Sequence, residues 1–374
     1  MVPGNRDALL LIIEAQADIS GRFTNPSRIG TAGGDGHFSL VVSALDNNTG
    51  RRVALKFYDP DHAADAYRSS CFQREAEMLQ QFVGMADILQ QVVPLQTFSL
   101  VSMVGAISIP IHFSYYGAEL AAGSVAEASP HSQWSLPLKL DRFRAMCRAV
   151  QRVHAADVVH RDLKLSNFLT MRDGSVRLCD FGTARFTNSP DQLLPRYNLP
   201  VGDMRYAAPE LFAALQEVDS TMNVKGDIYA LGAAFFELLT GMILNPLVFD
   251  GSTLADLSNT MNAVPKKDRV RIYDSFVSGM AASRPLPRLS YCGVDLPSCV
   301  SGILEGLYQD LCAIDYRRRL SDFKTIFSRL SRASIILRNE ASYLKWQKRK
   351  QLYRERAESK KLRREARRAR KQAV

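Results

Sequence analysis

The stretch from Ile88 to Ala118 limits the possible folds most strongly, because it contains no Asp, Glu, Lys or Arg. A charge-free run of this length can cross a bilayer as a helix. Pro94, Pro110 and three glutamines interrupt it, however, and it is rich in Val and Ile. These features favour strands over a helix. We therefore expect two buried strands with a connection, and no transmembrane segment.

The positive charge is concentrated at the C-terminal end. The formal net charge of the 374 residues is +10, and residues 338–374 contain 15 Lys and Arg against 4 Asp and Glu. The rest of the chain is nearly neutral, with 33 basic and 34 acidic residues. The tail has no Gly or Pro and is made of helix formers, which predicts a helical basic extension. Such a run can bind nucleic acid, an acidic partner or an anionic membrane surface, or remain solvated.

Nothing near the first residue resembles an export signal. The apolar run from Ala8 to Ile13 is closed by Glu14 and is too short for a signal peptide. The six cysteines form no CxxC pair and no regular framework, as is typical of reduced thiols. We expect a cytoplasmic protein, and in a eukaryotic cell the basic tail would also suit nuclear import.

The order of predicted elements indicates a strand-rich lobe followed by a helix-rich lobe. The segments HFSLVVSALD and RRVALKFYD flank NNTG, a strong turn signal, and predict a hairpin. A helical stretch follows near CFQREAEMLQQF, before the uncharged strand pair. Later, KGDIYALGAAFFELLTG is apolar on all sides, as a helix inside a core should be, and Gly241 marks its end.

Two polar loops carry candidate catalytic and metal-binding groups. The segment HRDLKLSNFL contains Asp162, a carboxylate able to accept a proton from a hydroxyl, and Asn167. Eighteen residues after Asp162, the segment LCDFG places Asp180 behind a predicted strand. Two loops joined by a hairpin can bring these side chains into one cleft. Asn167 and Asp180 offer the hard oxygen ligands that suit Mg²⁺.

Groups able to hold nucleotide phosphates precede these loops. The segment GGDGHFSLV places Gly34 and Gly36 between predicted strands, and glycines let backbone amides approach a phosphate closely. The segment VALK ends in Lys56 on the next strand. Glu75, on the predicted helix, would form an ion pair that directs Lys56 towards the phosphates, with Glu77 as a competitor for that role.

Seven segments, in chain order, resemble motifs of the eukaryotic-type (Hanks-type) serine/threonine protein kinase family: GGDGHFSLV, VALK, REAEML, HRDLKLSNFL, DFG, YAAPE and KGDIYALG. The resemblance covers roughly residues 27–330. It implies an α+β, two-lobed protein-kinase-like fold, with a small antiparallel β-rich N-lobe and a larger helical C-lobe. We expect an N-terminal extension at 1–26, the N-lobe at 27–116, the C-lobe at 117–335 and a basic helical tail at 336–374.

The resemblance implies a role for each matching residue. Asp162 would orient the substrate hydroxyl and accept its proton, and Lys164 would steady the transferring phosphate. ATP and Mg²⁺ are the implied cofactors, with Asn167 and Asp180 as metal ligands. The residues implied to bind the nucleotide are Gly34, Gly36, Val41, Ala54, Lys56, Glu75 and Leu169.

The same resemblance implies the substrate class and two supporting contacts. The lysine of HRDLK resembles the serine/threonine branch, so the expected acceptor is a serine or threonine of a protein substrate. Glu210 of the APE match would form a buried ion pair with Arg319. Asp227 would bind the backbone of the HRD loop.

Two positions depart from the family pattern. Ser39 replaces the third glycine of the phosphate loop, and Asp203 stands where the family usually has threonine. A carboxylate beside Asp162 would repel it unless Lys164 neutralises the pair. The candidate sources of an activating charge are a phosphate on Thr187, Ser189 or Tyr197, or the carboxylate of Asp191 or Asp203.

Three alternatives remain open on the sequence. A pseudokinase would keep the fold as a scaffold; Ser39 and Asp203 favour it, whereas retention of the implied catalytic and metal-binding residues argues against it. A small-molecule kinase is disfavoured by the APE match, because the segment before it normally forms a platform for peptides. In the third alternative, the basic tail binds nucleic acid and the kinase domain regulates that binding.

Overall fold

The chain folds into the predicted α+β architecture of two lobes, an antiparallel sheet followed by a largely helical lobe. Gly34, Gly36, Ser189, Asp191 and Tyr197 lie outside the described residues. The computed structural model describes residues 6–29, 39–59, 62, 64–104, 107–128, 134–187, 201–215, 219 and 221–372.

The N-terminal lobe is built on one antiparallel sheet. Its strands in the described part of the chain are β1 (Asp18–Ile19), β2 (Phe23–Arg28), β3 (Ser39–Asp46), β4 (Arg51–Tyr58), β5 (Gln91–Val104) and β6 (Ile107–Glu119). They lie in the order β1-β2-β3-β4-β6-β5. The turn at residues 47–50 joins β3 to β4, as NNTG predicts, and Gly50 supplies the positive φ of +66°.

The uncharged stretch forms the hairpin of β5 and β6, which confirms the prediction of two strands. Val104 pairs with Ile107 at the tip, and Gln91 pairs with Ala118 at the base. The register shifts near Pro94, where a residue without an N–H is tolerated. In the described residues, no helix combines the length and the apolar character needed to cross a membrane.

The segment predicted as an N-terminal extension packs on the N-lobe. Helix α1 (Arg6–Glu14) buries Leu9, Leu10 and Ile13 in the same apolar cluster as the core residues of the sheet. Glu14 accepts a 2.8 Å hydrogen bond from the backbone N–H of Arg28. Helix α1 and strand β1 are therefore continuous with the core of this lobe.

The C-terminal lobe is helical and packs around α4 and α6. Helix α2 (Ala66–Gln81) comes earlier, between β4 and β5 in the N-terminal lobe. The later helices in the described residues are α3 (Val125–Ala128), α4 (Leu136–Ala155), α5 (Pro209–Phe212), α6 (Thr221–Thr240), α7 (Asn245–Val248), α8 (Gly251–Ala263), α9 (Lys266–Ser283), α10 (Ser298–Leu311), α11 (Phe323–Arg338) and α12 (Glu340–Gln372). Helix α6 is buried on nearly all sides and stops before Gly241, whose φ is +81°, as predicted. A Cβ on Gly232 would lie 2.6 Å from the sulfur of Cys312, so α6 packs very closely against the end of α10.

Short strands between the lobes hold the two polar loops. These strands are β7 (Gly123–Ser124), β8 (Val158–Val159), β9 (Phe168–Thr170), β10 (Val176–Leu178) and β11 (Arg185–Phe186). Strands β9 and β10 form the predicted hairpin between the HRD and DFG segments, and β11 pairs with β8. The pairing of β11 with β8 brings the start of the HRD loop next to the end of the DFG loop.

The tail forms the long helix α12, which confirms its predicted helical character. At its root, Tyr343 and Leu344 pack against the C-lobe core. Beyond them, the residues from Lys348 to Lys360 are exposed. The helix therefore leaves the lobe after its first turns, because it has no continuous apolar face to bury.

Candidate active site

The predicted catalytic carboxylate, Asp162 on the loop from His160 to Asn167, is held by contacts on both of its oxygens. Asp162 Oδ2 accepts a 2.9 Å hydrogen bond from Lys164 Nζ, and Oδ1 accepts one of 2.7 Å from the backbone N–H of Asp203. Asn167 Nδ2 donates to the Asp162 carbonyl at 2.7 Å. The carboxylate is thus oriented before any substrate arrives.

Asp227 of helix α6 supports this loop from the C-lobe core, which confirms the predicted contact. Its carboxylate accepts 2.8 Å hydrogen bonds from the backbone N–H groups of His160 and Arg161. His154 Nε2 lies 2.9 Å from the same carboxylate. Arg161 has a φ of +71°, a costly conformation for a residue with a side chain. The two backbone hydrogen bonds to Asp227 help to hold it.

Lys56 on strand β4 forms an ion pair with Glu75 on helix α2, with Nζ and Oε2 2.7 Å apart. Glu77, the competing candidate, is exposed. Asp180 Oδ1 lies 4.0 Å from Lys56 Nζ. Burial alone would lower the pKa of Lys56, but the carboxylates of Glu75 and Asp180 outweigh it and raise that pKa. The lysine therefore remains a cation aimed at the cleft between the lobes.

Asp180 and Asn167, the predicted metal ligands, lie on loops that are tied together. The backbone N–H of Cys179 donates to the Asn167 carbonyl at 2.9 Å. Burial would raise the pKa of Asp180, but the charges of Lys56 and Lys164 outweigh it and lower that pKa. An ionised carboxylate and a side-chain amide therefore lie on two linked loops, and their oxygens are the kind of donor that fits a divalent metal ion.

The residue after Asp180 anchors this loop in the core. Phe181 is fully buried and packs between Phe82 and His160, with ring centroids 5.1 Å and 5.0 Å apart. Asp180 itself has a φ of +63°, in the left-handed region. The buried ring thus helps to hold Asp180 in a strained conformation that could not be predicted from the sequence.

Asp203 stands beside Asp162, as the sequence predicts, but it is neutralised by two cations instead of one. Lys164 Nζ lies 3.9 Å from Asp203 Oδ2. Arg205 donates hydrogen bonds to the same carboxylate, from Nε at 3.0 Å and from a terminal nitrogen at 2.7 Å. Sequence reasoning missed Arg205. The only available signal was the Asp-x-Arg spacing, which is too common to be informative on its own.

The residues implied to bind the nucleotide lie on both lobes. Val41 is opposite Lys56 in the pairing of β3 and β4, and Ala54 precedes Lys56 by two residues. All three side chains therefore share one face of the sheet. Leu169 lies on β9, two residues after Asn167, in the other lobe. The described members of this set thus come from the sheet of the N-lobe and from the hairpin of β9 and β10.

Gly202 allows the Asp203 segment to approach the catalytic loop. A Cβ at Gly202 would lie 2.2 Å from the Arg161 carbonyl oxygen, and its φ is +91°.

Gly202→Ala should therefore reduce the free energy of unfolding by about 2–4 kcal/mol, through strain and overlap together. Urea unfolding measures this loss. Gly293→Ala is the matched control, because Gly293 has a φ of +75° and open space, so strain alone should cost about 1–2 kcal/mol. Equal losses in both variants would contradict the close approach.

The predicted pair of Glu210 and Arg319 is present and fully buried, with both side chains at 0% exposure. Arg319 contacts both carboxylate oxygens of Glu210. It also donates to the carbonyls of Ala313 and Lys225, at 2.9 Å and 2.8 Å. Its guanidinium lies over the ring of Tyr229. The pair joins α5, which follows the Asp203 segment, to the centre of the C-lobe.

Comparisons with known proteins agree with this geometry. A family model described as "Protein kinase domain" matches residues 28–329. Serine/threonine-protein kinase PknE of Mycobacterium tuberculosis is 30% identical over 302 residues, covering 79% of this chain and 49% of that protein. Mitogen-activated protein kinase 13 of Oryza sativa is 28% identical over 271 residues, covering 68% of this chain and 49% of that protein. The chain spans about half the length of these curated relatives.

Proposed function

Because this chain belongs to the protein kinase domain family, we propose that it transfers the γ-phosphate of ATP to serine or threonine hydroxyls of protein substrates. One observation carries the proposal. The carboxylate of Asp162, bound to Lys164, lies in the same cleft as the linked charges of Lys56, Glu75 and Asp180. This is the combination that phosphoryl transfer requires, since it offers a base, a cation for the phosphates and a metal ligand.

Each side chain has a definite task in this reaction. Asp162 orients the acceptor hydroxyl and takes its proton, while Lys164 compensates charge on the phosphate in transfer. Lys56, held by Glu75, engages the phosphates of the nucleotide. The lysine of HRDLK and the names of the serine/threonine kinase relatives support a serine or threonine acceptor.

Members of this family use ATP with a divalent metal ion, and we propose Mg²⁺ as that ion here. Asp180 and Asn167 would hold it, because both are oxygen donors and hard cations prefer oxygen. The Asn167 side-chain nitrogen donates to the Asp162 carbonyl, which turns the amide oxygen away from that carbonyl. When bound, the metal supplies positive charge to the nucleotide phosphates.

Transfer of labelled γ-phosphate to basic and acidic protein substrates tests this function. We expect label on serine or threonine with the wild-type chain, dependence on Mg²⁺, and loss of transfer on chelation. Asp180→Asn, tested in parallel, should transfer almost none, which excludes a contaminating kinase. Nucleotide binding by the wild-type chain without any transfer would favour a pseudokinase scaffold and contradict the proposal.

A second proposal, specific to helix α12, is that its exposed part binds nucleic acid. Lys345, Arg349, Arg356 and Lys360 recur at intervals of four and seven residues, so they follow one face of the helix. Glu355 and Glu358 do not follow these intervals, so they lie off this basic face of the helix. The four basic side chains are exposed, which suits contact with a row of phosphates.

Aromatic residues favour nucleic acid over an acidic protein as the partner. Trp346 and Tyr353 are 50% and 70% exposed, and their seven-residue spacing places them on one side of α12, next to the basic face. Exposed aromatic rings among cations can stack on bases. Lys350 already lies over the Trp346 ring, 4.8 Å from its centroid.

Binding of a fluorescent 24-base-pair DNA duplex and of the matching RNA tests the tail. Replacing the four basic residues of the face by Glu should reduce affinity at least tenfold and flatten its salt dependence. The control replaces Glu355 and Glu358 by Gln and should not weaken binding. Unchanged affinity in the basic-face variant would contradict the proposal.

A further inference from the structure

The catalytic carboxylate shares its lysine with a second carboxylate. Lys164 Nζ lies 2.9 Å from Asp162 Oδ2 and 3.9 Å from Asp203 Oδ2. The backbone N–H of Asp203 also donates to Asp162 Oδ1 at 2.7 Å. Any change in the charge or position of Asp203 therefore acts directly on both Asp162 and Lys164.

Arg205 binds both oxygens of the Asp203 carboxylate. The guanidinium makes three contacts with the carboxylate, at 3.0 Å to Oδ1 and at 2.7 Å and 3.3 Å to Oδ2. The backbone N–H of Arg205 adds a fourth, at 3.0 Å. Burial would raise the pKa of Asp203, but these hydrogen bonds from Arg205 outweigh it and lower that pKa. Asp203 is therefore ionised, and its charge is compensated chiefly by Arg205.

Without that guanidinium, Lys164 would be the remaining ion-pair partner of Asp203 in the described part of the chain. The Asp203 side chain is only 13% exposed, so solvent would screen its charge weakly. Lys164 would then be drawn from Asp162 towards Asp203. An uncompensated negative charge would also face the phosphate that Lys164 is proposed to steady.

We propose that Arg205 is a positioning residue for phosphoryl transfer, which pairs with Asp203 and so reserves Lys164 for Asp162 and the transferring phosphate. This inference rests on the proposed kinase function. It also explains how the chain accommodates Asp203 where the family usually has threonine. The Arg205 side chain is 58% exposed, so its removal leaves the packed core unchanged.

A double-variant cycle tests this assignment. Arg205→Ala should lower kcat on the order of tenfold, because the lysine is displaced, while KM for ATP stays the same. In the background of Asp203→Thr, the same change should have no further effect, because the carboxylate that Arg205 compensates is gone. Arg205→Lys keeps one positive charge and should recover part of kcat. Arg271→Ala removes another exposed arginine, from a surface pair with Asp268, and should leave kcat unchanged.

A second measurement does not depend on turnover. Limited acetylation with acetic anhydride, quantified by mass spectrometry, reports how readily Lys164 reacts. Arg205→Ala should slow acetylation of Lys164 several-fold, since an uncompensated carboxylate raises its pKa, and the double variant should restore the rate. A kcat loss of the same size in the Asp203→Thr background, or unchanged acetylation in Arg205→Ala, would overturn the inference. Absence of transfer by the wild type would refute the proposed function, while acetylation would still test the Arg205 contact.

Discussion

Asp162→Asn is expected to lower kcat for phosphoryl transfer by about 10²- to 10⁴-fold, the usual contribution of a positioned general base. The amide keeps the size of the side chain and can still accept from the Asp203 backbone N–H, but it cannot take up the proton of the acceptor. Affinity for ATP should remain close to that of the wild type, since Lys56 and Asp180 are unchanged. Steady-state kinetics and nucleotide titration measure the two quantities separately.

Asp141→Asn is the matched control, because Asp141 is an exposed carboxylate on helix α4. It should leave kcat unchanged.

Burial raises the pKa of Asp162 above its ordinary value of 3.8, against the opposing charge of Lys164. The base must be ionised, so kcat should fall as the pH drops through this raised pKa, and the acidic limb should lie above 3.8. Retention of more than a tenth of kcat by Asp162→Asn would contradict the assignment of Asp162.

Arg319→Ala is expected to reduce the free energy of unfolding by about 3–5 kcal/mol, the cost of leaving a buried charge without its partner. Glu210 is completely buried and Arg319 is its ion-pair partner. The change also leaves the carbonyls of Ala313 and Lys225 without these donors. Urea unfolding of the full chain, with intrinsic fluorescence as the signal, measures the loss.

The neighbouring residue Arg318 supplies the control, since its side chain is 80% exposed and lies 4.0 Å from Asp315. Arg318→Ala should change the free energy of unfolding by less than about 1 kcal/mol. Combining Glu210→Gln with Arg319→Met removes both charges and should cost less than Arg319→Ala alone, because no unpaired ion remains. If the combined variant is less stable than Arg319→Ala, burial of an unpaired charge is not the cause of the stability lost in Arg319→Ala.

Much of the fold could be predicted because its signals are local. The NNTG turn, the uncharged strand pair and the all-apolar helix ending at Gly241 each follow from neighbouring residues. The packing of α1 on the sheet could not be predicted in this way. Leu9, Leu10 and Ile13 indicate a helix with an apolar side, but the partner of that side is set by strands that lie far along the chain.

The order of residues alone indicated which chemical groups are present and which of them resemble the motifs of a protein kinase. The choice of Glu75 over Glu77 was decided by the tertiary structure, because only one of them faces Lys56 once α2 packs on the sheet. The tertiary structure also decided how Asp203 is accommodated. Arg205 compensates the charge of Asp203 because the backbone at Gly202 approaches the catalytic loop and places the Asp203 carboxylate within a few ångströms of Arg205 and Lys164. Electrostatic interactions vary steeply over such distances, and spacing along the chain does not fix them.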